Sequence, residues 1–337
     1  MPPVQATNTI ATLERDWLPV LAKYWEPNTK RSMIELLITG LPFVGLWALA
    51  VWSLSISYWL TLAISIPAGG FLVRLFLIQH DCGHGAFFRK RVLNDWVGRT
   101  LGVLSLTPYY VWRRSHALHH ANSGNLDHRG MGDIETLTVT EYQALSTIGQ
   151  FGYRVYRHPL VLFAFGPFYN FWLRQRLPLG FMQAGWRYWL SAIGTNFTIA
   201  LVAGLLIYFI GVKSFFLVHL PITMVATSAG VWLFYVQHQF EDTFWRNNPN
   251  WKLQDAALLG SSYYDLPPVL RWFTANIGIH HVHHLNARIP FYRLPQVLRD
   301  FPELTNIRRL TLGTSLHSIR LALWDETKGK MVSFAEL

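Results

Sequence analysis

Charge and cysteine are what this chain has least of. Only 14% of its 337 residues are charged, against about 25% in soluble domains. A single cysteine, Cys82, excludes an intrachain disulfide and any zinc-finger or iron–sulfur site built on thiolates. A basic leader followed by an apolar run is also missing. The first 30 residues are polar and mixed, so no cleavable signal peptide is visible, and membrane insertion is expected to rely on internal segments. In place of these features stand 51% hydrophobic residues, 15 Trp and a positive mean hydropathy. The length could hold two soluble domains, but this composition argues for one membrane unit.

The net charge of +10 does not indicate nucleic acid, because the basic residues form no stripe interleaved with exposed aromatics. They flank apolar spans, where the positive-inside rule puts them. Such charge suits an anionic lipid surface, an acidic electron donor or a phosphate-bearing substrate.

Four stretches are apolar over the roughly 20 residues a membrane span needs. They run from about Ile34 to Leu54, Tyr58 to Gln79, Tyr188 to Ile210 and Phe215 to Val236. Short turns join the first to the second and the third to the fourth, so two helical hairpins are expected. Pro67 and the Gly69–Gly70 pair are expected to kink the second span, and Arg74 near its end to snorkel. The two turns carry only Lys213, whereas Lys30, Arg31, Arg89, Lys90, Arg91, Arg113, Arg114, Arg174, Arg176 and Arg187 lie on the other side. Both termini and the long middle segment are therefore expected to be cytoplasmic.

The chain divides into an N-terminal segment (1–33), hairpin one (34–79), a middle segment (80–187), hairpin two (188–236) and a polar C-terminal cap (237–337). The apolar patches Val103 to Val111 and Leu160 to Trp172 are too short or too interrupted by proline to span, and read as interfacial or buried helices. The expected fold is an all-α membrane protein: four transmembrane helices under a cytoplasmic helical cap that holds a histidine-ligated dimetal site.

Of 14 histidines, most fall into three groups: His80 and His84; His116, His119 and His120; and His280, His281, His283 and His284. Residues three and four apart share a helix face, so the members of each group can point at one place. His281 points about 100° from His280 and is set aside. His238 stands alone after the fourth span. Nine candidates result: His80, His84, His116, His119, His120, His238, His280, His283 and His284. With four spans, all nine land on one side of the membrane. Neutral imidazole suits Zn, Cu, Fe and Ni, and nine ligands are too many for one ion but suit two. Asn276, one turn before His280, could contact the metal directly or through water. Nearby carboxylates, chiefly Asp81, Asp133 and Glu241, with Asp127, Glu135, Asp242 and Asp265, are candidates to accept the outward ring N–H groups.

His158, His219 and His317 read as ordinary histidines, His219 with an interhelical hydrogen bond. His128 is a weaker candidate for an outer hydrogen-bonding role. Cys82 reads as a small packing residue. Arg89-Lys90-Arg91 and Arg113-Arg114 read as topology anchors and lipid contacts, with substrate headgroup or donor docking as the sharper alternative.

At these residues the chain resembles the integral-membrane fatty acid desaturase family, whose three histidine boxes HxxxH, HxxHH and HxxHH are matched in order. The flanks resemble the branch containing acyl-lipid omega-6 (delta-12) desaturases of bacteria and plastids. The runs carrying this are His80-Asp81-Cys82-Gly83-His84-Gly85, His119-His120-Ala121-Asn122-Ser123-Gly124, Arg129-Gly130-Met131-Gly132-Asp133 and His283-His284-Leu285-Asn286-Ala287-Arg288-Ile289-Pro290. The resemblance covers roughly 34 to 310. It implies two non-haem iron ions, O2 as co-substrate and two electrons from a separate, ferredoxin-like donor. It also implies an acyl or membrane-lipid substrate held in a bent tunnel, and a role as ligand for His238. A bacterial inner membrane is the expected location. Two other readings compete: hydroxylation or ketolation of an alkane, sterol or carotenoid by the same centre, and a metal transporter or sensor. The Asn286-Ala287-Arg288-Ile289-Pro290 flank favours desaturation, and transport sites lie nearer the bilayer midplane than these histidines do.

Overall fold

A computed structural model describes residues 12–337 apart from Met131, so the first eleven residues of the N-terminal segment lie outside the described residues. Four helices are long and apolar enough to cross a membrane: α1 (Thr29–Ser53), α2 (Tyr58–His84), α5 (Trp186–Ile210) and α6 (Val212–His238). Between α2 and α5 lie two shorter helices, α3 (Arg91–Leu104) and α4 (Tyr109–Asn122). The architecture is mostly helical, as the hydropathy pattern requires. The outward faces are apolar: Trp59 is 81% exposed and Phe197 70%. A water-soluble chain does not present such a surface over whole helices.

The helices run past the apolar windows. α2 continues through His80 to His84, and α6 through to His238. A helix does not stop where hydropathy falls; it stops where a cap forms. Here Gly85 closes α2 in the left-handed region (φ 72°), donating its N–H to the Asp81 and Cys82 carbonyls. The histidines of box one and His238 therefore sit on the last turns of two long, rigid helices. Both ends lie at the same end of the bundle as the starts of α1 and α5.

Pro67 lies inside an unbroken α2, and the neighbouring glycines serve close packing. A Cβ on Gly69 would come within 2.5 Å of Val225 on α6, and one on Gly70 within 3.0 Å of the Phe273 ring. Arg74 does not snorkel. Its side chain is 2% exposed and pairs with Glu35 of α1 at 2.5 Å, while its guanidinium lies 4.1 Å from the Trp272 ring centroid. It also donates to the Trp272 carbonyl. A buried acid at the same depth on the neighbouring helix makes an inward ion pair available, and this removes the reason to reach for water.

The apolar patch 160–172 forms an irregular helical run, with π-helical turns at Val161–Phe165 and Tyr169–Leu173 around the α turn Gly166–Phe168. The cap beyond α6 is not purely helical. Strand β1 (Leu137–Thr138) pairs in parallel with β4 (Leu321–Asp325), which pairs antiparallel with β5 (Lys330–Ser333). Strands β2 (Tyr263–Asp265) and β3 (Arg309–Thr311) form a second, parallel pair. A short helix, α7 (His280–Leu285), carries the third histidine group and is buried along its whole length.

Candidate metal centre

The nine histidines come together, and they divide into two sets. His80, His84, His116, His120 and His283 form one; His119, His238, His280 and His284 form the other. Within each set the ligating nitrogens lie within 4.8 Å of one another. The first group, His80 and His84, does point at one place, whereas the second and third groups each divide between the two sets. In α4, His116 and His120 serve the first set and His119 the second. In α7, His280 and His284 serve the second set and His283 the first. The rule is geometric: i and i+4 are only about 40° apart around a helix, whereas i+3 lies about 100° back from i+4. An i,i+4 pair shares a target, and the i+3 residue crosses to the next one.

The contacts within each set fit a cation. His119 Nδ1–H donates to Asp133, and His238 Nδ1–H donates to the Gly260 carbonyl at 3.2 Å. Both Nε2 atoms then carry lone pairs, yet they face each other at 3.1 Å, and His280 Nε2 lies 3.0 Å from that of His238. In the first set His120 Nε2 is 3.1 Å from His116 Nε2 and 3.1 Å from His283 Nε2. The Nε2 atoms of His84 and His284 are buried without a hydrogen-bond partner. Converging lone pairs repel unless a positive ion lies between them. With metal–nitrogen bonds of about 2.1 Å, ligands at right angles are about 3.0 Å apart and tetrahedral ones about 3.4 Å. The separations of 3.0–3.1 Å fall in the range expected of nitrogens that share one cation. Burial, reinforced by neighbouring imidazoles, holds His116, His120, His280, His283 and His284 well below the usual histidine range. They are neutral at pH 7, the form that ligates.

The outer partners are only partly those expected. Asp133 accepts from His119. Asp81 lies 3.4 Å from His80 Nδ1 and accepts the Phe291 N–H at 2.7 Å, tying box one to the segment after box three. Glu241 is not near the histidines: it forms a surface pair with Lys330 at 2.7 Å. Asn276 is not on the helix of His280, which starts at His280 itself. It sits in the left-handed region (φ 56°) and donates to the Phe291 carbonyl at 3.2 Å. Asp127 binds Asn247 and Asn248, and Asp265 binds Arg271 and Arg309. Glu135 contributes its carbonyl, to Arg157, and Asp242 pairs loosely with Arg308. His281 turns away and donates to the Leu304 carbonyl at 3.0 Å. His128 contacts Asn248, and His158 accepts the Leu160 N–H. His317 approaches Glu241, while His219 packs against Phe215 and Trp172.

Three features went unread in the sequence. Trp112 stacks on His116 at 4.8 Å between ring centroids, and Phe234 lies 5.0 Å from His119 and 5.1 Å from His238. Each aromatic stands four residues before a histidine of the cluster, so helical spacing could have found them. The third is Arg157, buried with no ion-pair partner among the described residues. It donates to the Glu135 carbonyl (3.1 Å), Gln239 Oε1 (3.0 Å) and the Leu321 carbonyl (2.9 Å). It thereby ties the Asp133 loop, the end of α6 and strand β4 together. No local spacing signals this.

Replacing Asp133 with asparagine keeps the shape but removes the charged acceptor that orients the His119 ring. Metal affinity of the second set is expected to fall roughly 10–100-fold. A chelator-competition titration checks this, and an unchanged release curve counts against the role.

A bundle of four long apolar helices with two sets of convergent imidazoles at one end defines a membrane-type oxidoreductase scaffold with room for two metal ions. The chain belongs to the fatty acid desaturase family: the family model described as fatty acid desaturase matches residues 57–310. It is 45% identical over 326 residues to a fatty acid desaturase of Bacillus subtilis, covering 97% of this chain and 92% of that one. More distant relatives bear out the acyl-lipid branch. A Synechocystis sn-1 oleoyl-lipid 12-desaturase is 28% identical over 274 residues, covering 80% of this chain and 75% of its own. A Synechocystis sn-1 acyl-lipid omega-3 desaturase (ferredoxin) is 27% identical over 293 residues, covering 81% and 75%. The chain is thus an oxidoreductase of the fatty acid desaturase type.

Proposed function

We propose that this chain introduces a cis double bond into the acyl chain of a membrane lipid, using O2 and two electrons at a pair of non-haem irons. The two sets of converging histidine nitrogens are the observation that carries this reading. His80, His84, His116, His120 and His283 would hold one iron; His119, His238, His280 and His284 would hold the other. When bound, the irons supply O2 activation: two hydrogens leave adjacent carbons, and O2 with two electrons and two protons becomes two waters.

The protein's own part is to orient and exclude. Asp133 and the Gly260 carbonyl fix the tautomers of His119 and His238, so that both present Nε2 inward. An apolar cavity of about 380 Å³ lies among Phe43, Trp47, Leu106, Phe171, Phe215 and Ile207, a size typical of ligand pockets. Phe171 contacts Phe76, which contacts Trp112, which stacks on His116, so an apolar wall connects the cavity to the histidines. An acyl tail lodged there would place one C–C bond beside the centre, and regioselectivity would be positional. The electron donor is a separate, ferredoxin-like protein, a reading supported by the name of the Synechocystis acyl-lipid omega-3 desaturase (ferredoxin). The location is a bacterial inner membrane, with both termini and the centre on the cytoplasmic side.

The test is expression in a host without polyunsaturated lipids, followed by gas chromatography of its fatty acids. A new double bond is expected. An inserted oxygen atom would move the reading to a hydroxylase, and an unchanged profile with a folded, iron-loaded protein would overturn it.

A further inference from the structure

Asp95 on α3 organises two arginines beside box one. Its Oδ1 lies 2.8 Å from Arg113 Nη1 and 3.3 Å from Arg91 Nε, and 3.2 Å from the Tyr109 hydroxyl. That hydroxyl also donates to the Cys82 carbonyl at 2.9 Å, between His80 and His84. Tyr109 is locked by Gly98, where a Cβ would come within 2.2 Å of its ring. The pair sits at the lip of the first histidine set. Arg91 Nη1 is 3.0 Å from where a Cβ on Gly85 would stand, and Arg113 Cγ is 3.7 Å from that position on Gly83.

A topology anchor needs charge near the interface but no fixed partner. Here two guanidiniums converge on one carboxylate oxygen and leave one net positive charge, held in place and still accessible: Arg91 is 50% exposed and Arg113 24%. Lys90, Arg99 and Arg114 add exposed charge around them. The same helix turns Val92 (65% exposed) and Trp96 (62%) outward. An aromatic and aliphatic strip beside arginines is the signature of a helix lying at the bilayer surface.

We propose that Arg91 and Arg113 seat the phosphate of an anionic glycerophospholipid, whose acyl chain runs past His84 and Trp112 into the apolar cavity. The inference rests on the acyl-lipid reading above and names the headgroup class and the residues that select it. Guanidinium recognises phosphate by paired N–H donors. Acyl-CoA shares the phosphate, but the outward Val92–Trp96 strip places the arginine pair at the lipid surface.

The test uses the full-length, iron-loaded protein in nanodiscs with a reduced ferredoxin. Phosphatidylglycerol, phosphatidylcholine and acyl-CoA carrying the same chain are offered as substrates. The wild type is expected to prefer phosphatidylglycerol. R91Q/R113Q is expected to raise the apparent KM for that lipid by about fivefold per arginine, and for phosphatidylcholine by less because its choline offsets the phosphate charge, with kcat little changed. R99Q, which removes an exposed charge of the same helix outside the pair, keeps the preference. Should the double variant fail to fold, the wild type alone decides: its preference shrinks as salt rises from about 0.05 to 0.5 M, because exposed charges are screened. A preference that survives the double substitution or the salt series overturns the proposal, as does turnover of acyl-CoA alone. Desaturation without headgroup discrimination sinks only this inference; no desaturation of any substrate sinks the function on which it rests.

Discussion

His283→Ala and His284→Ala, neighbours on one helical turn, are expected to strip iron from different halves of the centre. His283 belongs to the five-histidine set and His284 to the four-histidine set. Each variant should fall from about two irons per chain to about one, because losing a ligand costs more than the roughly 10–100-fold typical of an outer partner. Desaturation should be undetectable in both, since the proposed reaction uses both irons. The measurement is iron content after size-exclusion chromatography, with Mössbauer spectra to tell which environment remains. Identical residual spectra from the two variants would contradict the division into two sets. Loss of both irons with retained helicity would mean that the sites bind cooperatively rather than as separate sets.

Glu35→Ala should destabilise the bundle by about 3–5 kcal/mol, the usual cost of leaving a buried charge unpaired. Arg74 is 2% exposed and Glu35 1%. Without Glu35 the guanidinium keeps, among the described residues, Thr39 and the Trp272 carbonyl as acceptors. Replacing both partners with leucine should recover most of the loss, because desolvating an ion pair offsets much of its attraction. Thermal unfolding in detergent measures both. A single variant as stable as the wild type would show that water or lipid phosphate reaches Arg74.

Much of this was legible before folding. The four apolar runs and their short turns specify two hairpins, because each residue's transfer into lipid depends on its own side chain. The three boxes are legible because i, i+3 and i+4 lie on one side of a helix whatever surrounds it. The fates of Glu241 and Asn276 were not. Glu241 lies near His238 in sequence, but the chain leaves α6 there and carries it to the surface, where Lys330 of β5 meets it. Asn276 is four residues before His280, but a left-handed backbone separates it from the helix.

The sequence by itself determined the spans, the nine histidines and the helices that carry them, since all of these follow from local periodicity and single-residue hydropathy. Only the tertiary structure decided which histidine serves which set. That depends on how each helix is rotated about its axis, and the rotation is set by distant contacts: Gly69 against Val225, Asp81 against the Phe291 N–H, and Arg157 between the Asp133 loop and α6. The inward turn of Arg74 has the same cause, because its partner on α1 comes within reach only when the hairpin closes.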